Sequence, residues 1–470
     1  MGVKKLFYGW VLISGWIAAI ILLSFRDGIG QPAEPHQGGD SSRPSEFESI
    51  FDVWASDPSL AGALVGFCLL DDRGEVVFKS SLAETALCPA SALKTVTTGA
   101  AFGLLGNHFQ FETRLSSKAS VSPEGVLAGD LVLVGSGDPT FGLNDLKNLA
   151  AEVVKAGLKE VRGDVRVDAS VFARPPMSDH WNWGDIGNAY GAGAFGINVN
   201  HNRLAARFEP GVETGDAARF IGGGPVAKGT EWLSHVTTGQ SGSGDGVVVY
   251  SQPFGRVITL EGTVPAGESS FVITGAIPDP PALALDRLRE FLRAAGVVVT
   301  GEKLGSSRPD VVLASHRSAK LPAIIDHLHE VSDNLEAQCF FLTIGTRQDG
   351  DPAGVIRAYW ESQGVSFVGL RHIDGSGLAR ANMIRPLDLA RVNYAARNGP
   401  HGDRFRQTLS TYLDGTVRSK LGAMSGVKTE VGFITLADGR EFTFSLLANG
   451  LAPSVDFWRL RSEFLTAIRR

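Results

Sequence analysis

The spacing of apolar and polar positions changes several times along the chain, and each change marks an element. Lys4 and Lys5 precede an almost unbroken apolar run from Leu6 to Phe25, 20 residues long. That is about the length of a spanning helix and long for a signal-peptide core. No A-x-A site follows, so residues 1–25 read as an uncleaved signal anchor. Residues 26–45 are rich in Gly, Pro, Ser, Gln and Asp without apolar periodicity, and read as a flexible tether. From Ala61 to Phe78 two apolar runs flank Asp71-Asp72-Arg73-Gly74 and predict a hairpin. Pro89 then opens a small-residue segment, through Gly106, whose apolar positions suit a buried helix.

Between about Thr113 and Gly305, short Val/Leu/Ile runs alternate with Gly, Asp and Pro clusters, which predicts one or two β-rich modules with few helices. Leu283, Leu285, Leu288 and Leu292 mark an amphipathic helix from Ala282 to Ala295, after Pro278-Asp279-Pro280-Pro281. Helical patterns return over Ile324–Gly345 and Leu387–Arg397. Runs at Glu430–Leu436 and Glu441–Leu447 flank Ala437-Asp438-Gly439-Arg440, a second hairpin, before a C-terminal helix over Val455–Arg470. Strands and helices at both ends, with β-rich sequence between, predict an α+β domain in two parts, 46–112 and 311–470, split by an insertion over 113–310.

Composition narrows the function classes. At 470 residues and 43% hydrophobic the chain has material for several cores. Forty-four Lys+Arg against 50 Asp+Glu give a net charge of −6, without long single-sign runs, so there is no footprint for nucleic acid. Cys68, Cys88 and Cys339 show no C-x-x-C spacing and no metal-ligand pattern. No disulfide framework is indicated, although Cys68 and Cys88 lie near one hairpin and are candidates for a bridge in an exported chain.

The chemistry begins at Ser91-Ala92-Leu93-Lys94. Ser and Lys at i and i+3 share a helix face, so an amine whose pKa is depressed by burial or a neighbouring cation can take the hydroxyl proton. Alone, the pattern is a common solvated helix. Ser332-Asp333-Asn334 adds a hydroxyl for proton relay and an amide for hydrogen bonding, while also matching an N-cap. Lys420-Leu421-Gly422 adds a strand cation that would lower the lysine pKa and attract a carboxylate, with a Gly for close backbone approach. Gly191-Ala192-Gly193-Ala194-Phe195-Gly196 fits G-x-G-x-x-G literally, but no strand precedes it and no helix pattern follows, so it does not support nucleotide binding. His327, His329 and Glu330 cannot converge on a metal from one helix face and read as surface side chains. No cofactor or metal is implied.

The ordered set S-x-x-K, S-D-N, K-x-G resembles the penicillin-recognising serine enzymes. The gap of 332 − 91 = 241 residues between the first two motifs, against 420 − 332 = 88 between the last two, is similar to the D-alanyl-D-alanine carboxypeptidase/endopeptidases, the class C low-molecular-mass penicillin-binding proteins. Leu133–Thr140, Val167–Phe172, Tyr190-Gly191-Ala192 with Asn198-Val199-Asn200, and Asp374–Leu378 also resemble that family, over about Phe51 to the C-terminus. The resemblance implies a transpeptidase/β-lactamase-like domain, an antiparallel sheet flanked by helices, split by the insertion. It implies that Ser91 attacks the carbonyl between two D-alanines with Lys94 as base. Ser332 and Asn334 would assist proton transfer and anchoring, and Lys420 would complete the network. The backbone N–H groups of Ser91 and Ala423 would form the oxyanion hole. Asp333, Leu421, Gly422, Asp168 and Phe172 would contact substrate.

The implied partners are peptidoglycan stem peptides, β-lactams as covalent inhibitors, and the membrane through the N-terminal anchor. The implied location is the periplasmic or extracytoplasmic face. One departure stands out: Leu421 occupies the place of the family's threonine, whose hydroxyl bonds the substrate carboxylate. Loss of one hydrogen bond to a charged group is worth about 1.5–3 kcal/mol. The alternative expectation is therefore a weakened or inactive peptidoglycan-binding homologue. A β-lactamase-like hydrolase fits the inserted architecture less well.

Overall fold

A computed structural model describes residues 46–172, 175–301 and 310–470, which form one compact unit. The expected anchor and tether, residues 1–25 and 26–45, lie outside the described residues. Among the described residues no helix is long and apolar enough to cross a membrane.

The chain opens with α1 (Glu46–Ala55), the hairpin strands β1 (Leu64–Leu70) and β2 (Val76–Lys79), and α2 (Lys94–Leu105). Asp71 Oδ1 accepts the backbone N–H groups of Arg73 and Glu75, which closes the hairpin turn where its Asp and Gly predict one. The inserted region runs through β3 (Glu112–Ser117), β4 (Val126–Leu127), β5 (Leu131–Val134), α3 (Leu143–Lys155), β6 (Glu160–Val161), β7 (Val165–Asp168) and α4 (Trp183–Ile186). It continues through β8 (Arg203–Glu209), β9 (Arg219–Gly224), β10 (Glu231–Gly239), β11 (Gly246–Ser251), β12 (Val257–Pro265), β13 (Phe271–Ala276), α5 (Pro280–Ala294), β14 (Val298–Val299) and β15 (Val311–Arg317). The return brings α6 (Leu321–Val331), α7 (Asn334–Arg347), α8 (Pro352–Ser362), α9 (Pro386–Asn398) and α10 (Gly402–Thr408). The chain ends with β16 (Ser410–Tyr412), β17 (Val417–Met424), β18 (Val427–Thr435), β19 (Glu441–Asn449) and α11 (Phe457–Arg469).

Both ends of the sequence meet in one antiparallel sheet of order β16-β17-β18-β19-β1-β2, with Leu64 opposite Asn449. Strands β18 and β19 are buried on both faces, and polar side chains such as Thr429, Glu430, Thr443 and Ser445 are buried there with the apolar ones. One face packs Phe67, Phe444 and Leu446 against α1 and α11, where Trp54 Nε1 donates to Leu460 O. The other packs Val431, Phe433 and Leu447 against α2, α6, α7 and α9. The fold is thus α+β, an antiparallel sheet between helical layers.

The insertion has its own core, built from α3, α5 and several small sheets. In the sheet β15-β3-β5-β7, β15 pairs with β3 from Arg317↔Glu112 to Val311↔Ser117, so the strands where the chain leaves and returns lie side by side. Residues 311–317 therefore sit in the insertion's sheet. Two elements differ from the sequence expectation. The single helical run Ile324–Gly345 is two helices, because Ser332 takes a left-handed conformation (φ +59) and Asp333 caps α7. Helix α3 stands within the region read as β-rich; its buried Leu146, Leu149, Ala150 and Val153 follow the i, i+3, i+4, i+7 spacing of an amphipathic helix. All three cysteines are free and buried, so Cys68 and Cys88 do not bridge; Cys88 Sγ lies 3.9 Å from Met424 Sδ.

Candidate active site

Ser91 sits in the single 3₁₀ turn that leads into α2, and the turn is fixed from outside. Ala90 takes φ +46, a conformation that costs a non-glycine residue about 1–3 kcal/mol and persists only where its surroundings hold it. Two glycines let those surroundings close in. A Cβ on Gly377 (φ +84) would stand 1.9 Å from Ala90 O, and one on Gly422 would stand 2.9 Å from both Pro89 O and Ala92 N. Thr429 Oγ1 donates to Pro89 O at 2.6 Å. Strand β17 and the Asp374–Leu378 segment thereby grip the turn that presents Ser91.

Lys94 is wholly buried, and its Nζ stands within hydrogen-bond distance of three oxygens: Ser91 Oγ at 2.8 Å, Asn334 Oδ1 at 2.5 Å and Ser376 O at 2.8 Å. Burial first, and the charge of Lys420 second, hold its pKa well below the ordinary lysine value, against the opposing pull of Asp374 and Asp333. As a neutral amine it keeps two N–H donors for Asn334 and Ser376, and turns its lone pair to the Ser91 hydroxyl. That is the arrangement a general base needs.

Asp374 organises the segment that supplies Ser376 O. Its Oδ1 accepts the N–H groups of Ser376 and Gly377, and its Oδ2 accepts Ala379 N–H and Trp181 Nε1–H. Burial alone would raise its pKa; the hydrogen bonds, Trp181 foremost, hold it below the usual carboxylate value. Ser332 and Asn334 flank the turn between α6 and α7. Asn334 uses both ends of its amide, accepting from Lys94 and donating Nδ2–H to Tyr190 O at 2.8 Å. Lys420 is buried on β17, donates to Leu421 O at 2.9 Å, and has its pKa lowered to about 8 by burial.

Two cavities meet at Ser91. One of about 310 Å³ is lined by Ser91, His329, Ser332, Lys420, Leu421 and Ala423. The other, about 400 Å³, carries Ser91, Asn334, Asp185, Tyr190, Arg380 and Met424. The structure thus brings Ser91, Lys94, Ser332, Asn334, Lys420, Leu421, Gly422 and Ala423 together.

Three other residues expected to meet substrate lie elsewhere. Asp168 and Phe172 line a separate cavity of about 610 Å³ in the insertion, with none of the residues around Ser91 on its wall. Asp168 ends β7, which pairs with β5, and the Phe172 ring closes on Gly137, where a Cβ would be 2.1 Å from its Cζ. Asp333 is buried and structural: its Oδ1 accepts Glu336 N–H as the cap of α7 and its Oδ2 accepts Arg203 Nη2–H. His329, expected at the surface, is buried between Thr98 and Thr408. It turns inward because α6 packs that face against α2 and α10, while His327 is half-exposed on the outer side.

Sequence reasoning gave no site role to Asp185, Tyr190 or Arg380, although Tyr190-Gly191-Ala192 is among the segments that resemble the family. Asp185 Oδ1 accepts the Tyr190 hydroxyl, Asp185 Oδ2 accepts Asn182 Nδ2–H, and Arg380 donates to Ser425 O. The sequence signal for Asp185 was thin: a polar and aromatic cluster, Trp181-Asn182-Trp183-Gly184-Asp185, in a stretch without periodicity.

Fold and site together define a transpeptidase-like α+β domain that carries a large insertion. A profile of the family described as D-Ala-D-Ala carboxypeptidase 3 (S13) matches residues 48–457, and the chain belongs to that family. It is 30% identical over 448 residues to a D-alanyl-D-alanine carboxypeptidase of Actinomadura sp. (strain R39), covering 87% of this chain and 82% of that one. It is 26% identical to D-alanyl-D-alanine carboxypeptidase DacB of Haemophilus influenzae, over 83% of this chain and 86% of the relative. The crystal structure of penicillin binding protein 4 (dacB) from Haemophilus influenzae superposes with a TM-score of 0.76 at 22% identity, over 89% of this chain and 98% of that one.

Proposed function

We propose that this chain is a serine D,D-peptidase that cleaves the D-Ala-D-Ala bond of peptidoglycan stem peptides, as carboxypeptidase, endopeptidase or both, through an acyl-enzyme on Ser91. The observation that carries the reading is the buried Lys94 amine, whose acceptors Asn334 and Ser376 leave its lone pair for the Ser91 hydroxyl. Ser91 Oγ adds to the carbonyl as its proton passes to Lys94, and the oxyanion is met by the N–H groups of Ser91 and Ala423. The departing D-alanine amine receives a proton through Lys94 and Ser332, and water then hydrolyses the ester. Lys420, a buried cation beside the Ser91 cavity, suits the terminal carboxylate. Asp185 and Arg380, of opposite charge on one cavity wall, suit a stem-peptide segment carrying both an amine and a carboxylate. With the apolar run Leu6–Phe25 as an anchor, the reaction would take place at the extracytoplasmic face of the membrane.

The test is mass spectrometry of the chain from Glu46 onward after incubation with benzylpenicillin, with peptide mapping of any adduct, beside release of D-alanine from a peptide ending in D-Ala-D-Ala. One intact penicillin bound on the Ser91 peptide, together with D-alanine release, is the expected result. Folded protein with neither would overturn the reading.

A second reading, a binding protein with weak turnover, rests on Leu421, which lines the Ser91 cavity beside Lys420. Leu421→Thr is expected to lower KM for the D-Ala-D-Ala peptide by about tenfold, since a hydrogen bond to a charged group contributes roughly 1.5–3 kcal/mol. Steady-state kinetics check this. A wild type without turnover, set against an active Leu421→Thr, would favour the binding reading.

A further inference from the structure

The turn that carries Ser332 and Asn334 is gripped from the insertion as well as from its own helices. Arg203, the first residue of β8, donates Nη2–H to Asp333 Oδ2 at 2.7 Å, while Asp333 Oδ1 accepts Glu336 N–H at 2.9 Å. Tyr190, also in the insertion, accepts the Asn334 amide. Behind Asp333 lies a second buried carboxyl, Glu336, with Oε1 2.8 Å from His327 Nδ1 and 3.8 Å from His201 Nδ1. His201 Nδ1 is also 3.8 Å from Asp333 Oδ2, and the two imidazole rings are 5.3 Å apart. Glu336 Oε2 is buried without a hydrogen-bond partner.

Two carboxyls buried this close cannot both carry charge cheaply. Burial first, then the charge of Asp333, push the Glu336 pKa up to about 9; Arg203 opposes this and Asp138 adds to it. His201 is held below its ordinary value by burial first, with Asp333 opposing and His327 and Arg203 adding. Burial thus favours the protonated form of Glu336, whose Oε1 stands at hydrogen-bond distance from His327 Nδ1.

We propose that the insertion positions Asn334 for catalysis: Arg203 fixes Asp333, and Glu336, held against His327, completes a latch behind the turn. The proposal rests on the reading of Asn334 as the partner of a catalytic Lys94. It gives the insertion a part in the chemical step, beyond forming a wall of the substrate cavity.

Arg203→Ala in the full chain is expected to slow acylation by benzylpenicillin about 10–100-fold, the scale on which small misplacements of catalytic groups act. KM should stay within a few-fold, and Arg203→Lys should recover part of the loss. A wild-type acylation rate in a folded Arg203→Ala, or a loss that appears in KM alone, would overturn the positioning role and leave the serine-peptidase reading standing.

The proton on Glu336 has its own test, independent of activity. A carboxyl with a raised folded pKa makes the wild type lose stability as pH rises from the unfolded value near 4.5 to about 9. The difference in melting temperature, Glu336→Gln minus wild type, should therefore grow across that window and level off above it. A difference that does not change with pH would overturn the protonated form of Glu336 in the latch.

Discussion

Ser91→Ala is expected to lose the penicillin adduct entirely, and Lys94→Met to slow acylation by about 10²–10⁴-fold with the fold intact, the range a positioned base contributes. Methionine fills the volume of the lysine stem but offers no proton acceptor. Its apolar end would leave Asn334 Oδ1 and Ser376 O without their donor, while α2 stays packed through Val96, Ala100 and Ala101. Stability gives an independent check on the state of the amine. Because the folded pKa of Lys94 is depressed, the unfolded chain binds one more proton between that pKa and 10.5, so wild-type stability rises with pH through this window. Lys94→Met lacks that slope. Its melting temperature relative to wild type should therefore fall as pH rises through this window and level off above 10.5. Stopped-flow acylation and thermal melts over pH measure both effects. Acylation of Lys94→Met at the wild-type rate would place the base elsewhere.

How much of this was legible depended on the range of the interaction. Ser91 and Lys94 are three residues apart on one helical turn, so their meeting follows from local geometry. Ser332-Asp333-Asn334 had two readings in the sequence, cap or chemistry, and the structure uses both: Asp333 caps α7 while Asn334 reaches Lys94. The remaining residues of the cavity of about 400 Å³ were not legible as parts of the site. Trp181 reaches Asp374 across 193 positions of sequence, and Asp185, Tyr190 and Arg380 stand on segments whose place is set by such distant hydrogen bonds rather than by any period. Asp168 and Phe172 went the other way. Their resemblance to a family segment gave no direction for their side chains, and the pairing of β7 with β5 turns that segment toward the insertion's own cavity. Helix α3 was within reach, since its four buried apolar positions follow helical spacing between strands that drew the reading toward β.

The grip on the Ser91 turn leads to the other large effect: Gly377→Ala is expected to slow acylation about 100-fold or more and to lower the melting temperature by a few degrees. A methyl group there would stand 1.9 Å from Ala90 O, 2.5 Å from Ala90 C and 3.2 Å from Ser91 N, so either the Ser91 turn or the Asp374–Leu378 segment must retreat. The segment is poorly able to do so. Asp374 holds it through the N–H groups of Ser376, Gly377 and Ala379, and is itself fixed by Trp181. The turn carries the displacement instead, and with it Ser91 Oγ and Ser91 N–H, the nucleophile and one oxyanion donor; a shift on the order of 1 Å in such groups is worth about 10² in rate. Loss of stability alone does not distinguish this from backbone strain, because alanine at φ +84 is unfavourable anywhere. Gly364→Ala supplies the comparison: Gly364 has φ +83 in an exposed turn with nothing within 4 Å of a new Cβ. It should cost a similar few degrees and leave acylation unchanged. If both variants acylate at the wild-type rate, the close approach of Gly377 to Ala90 does not set the position of Ser91.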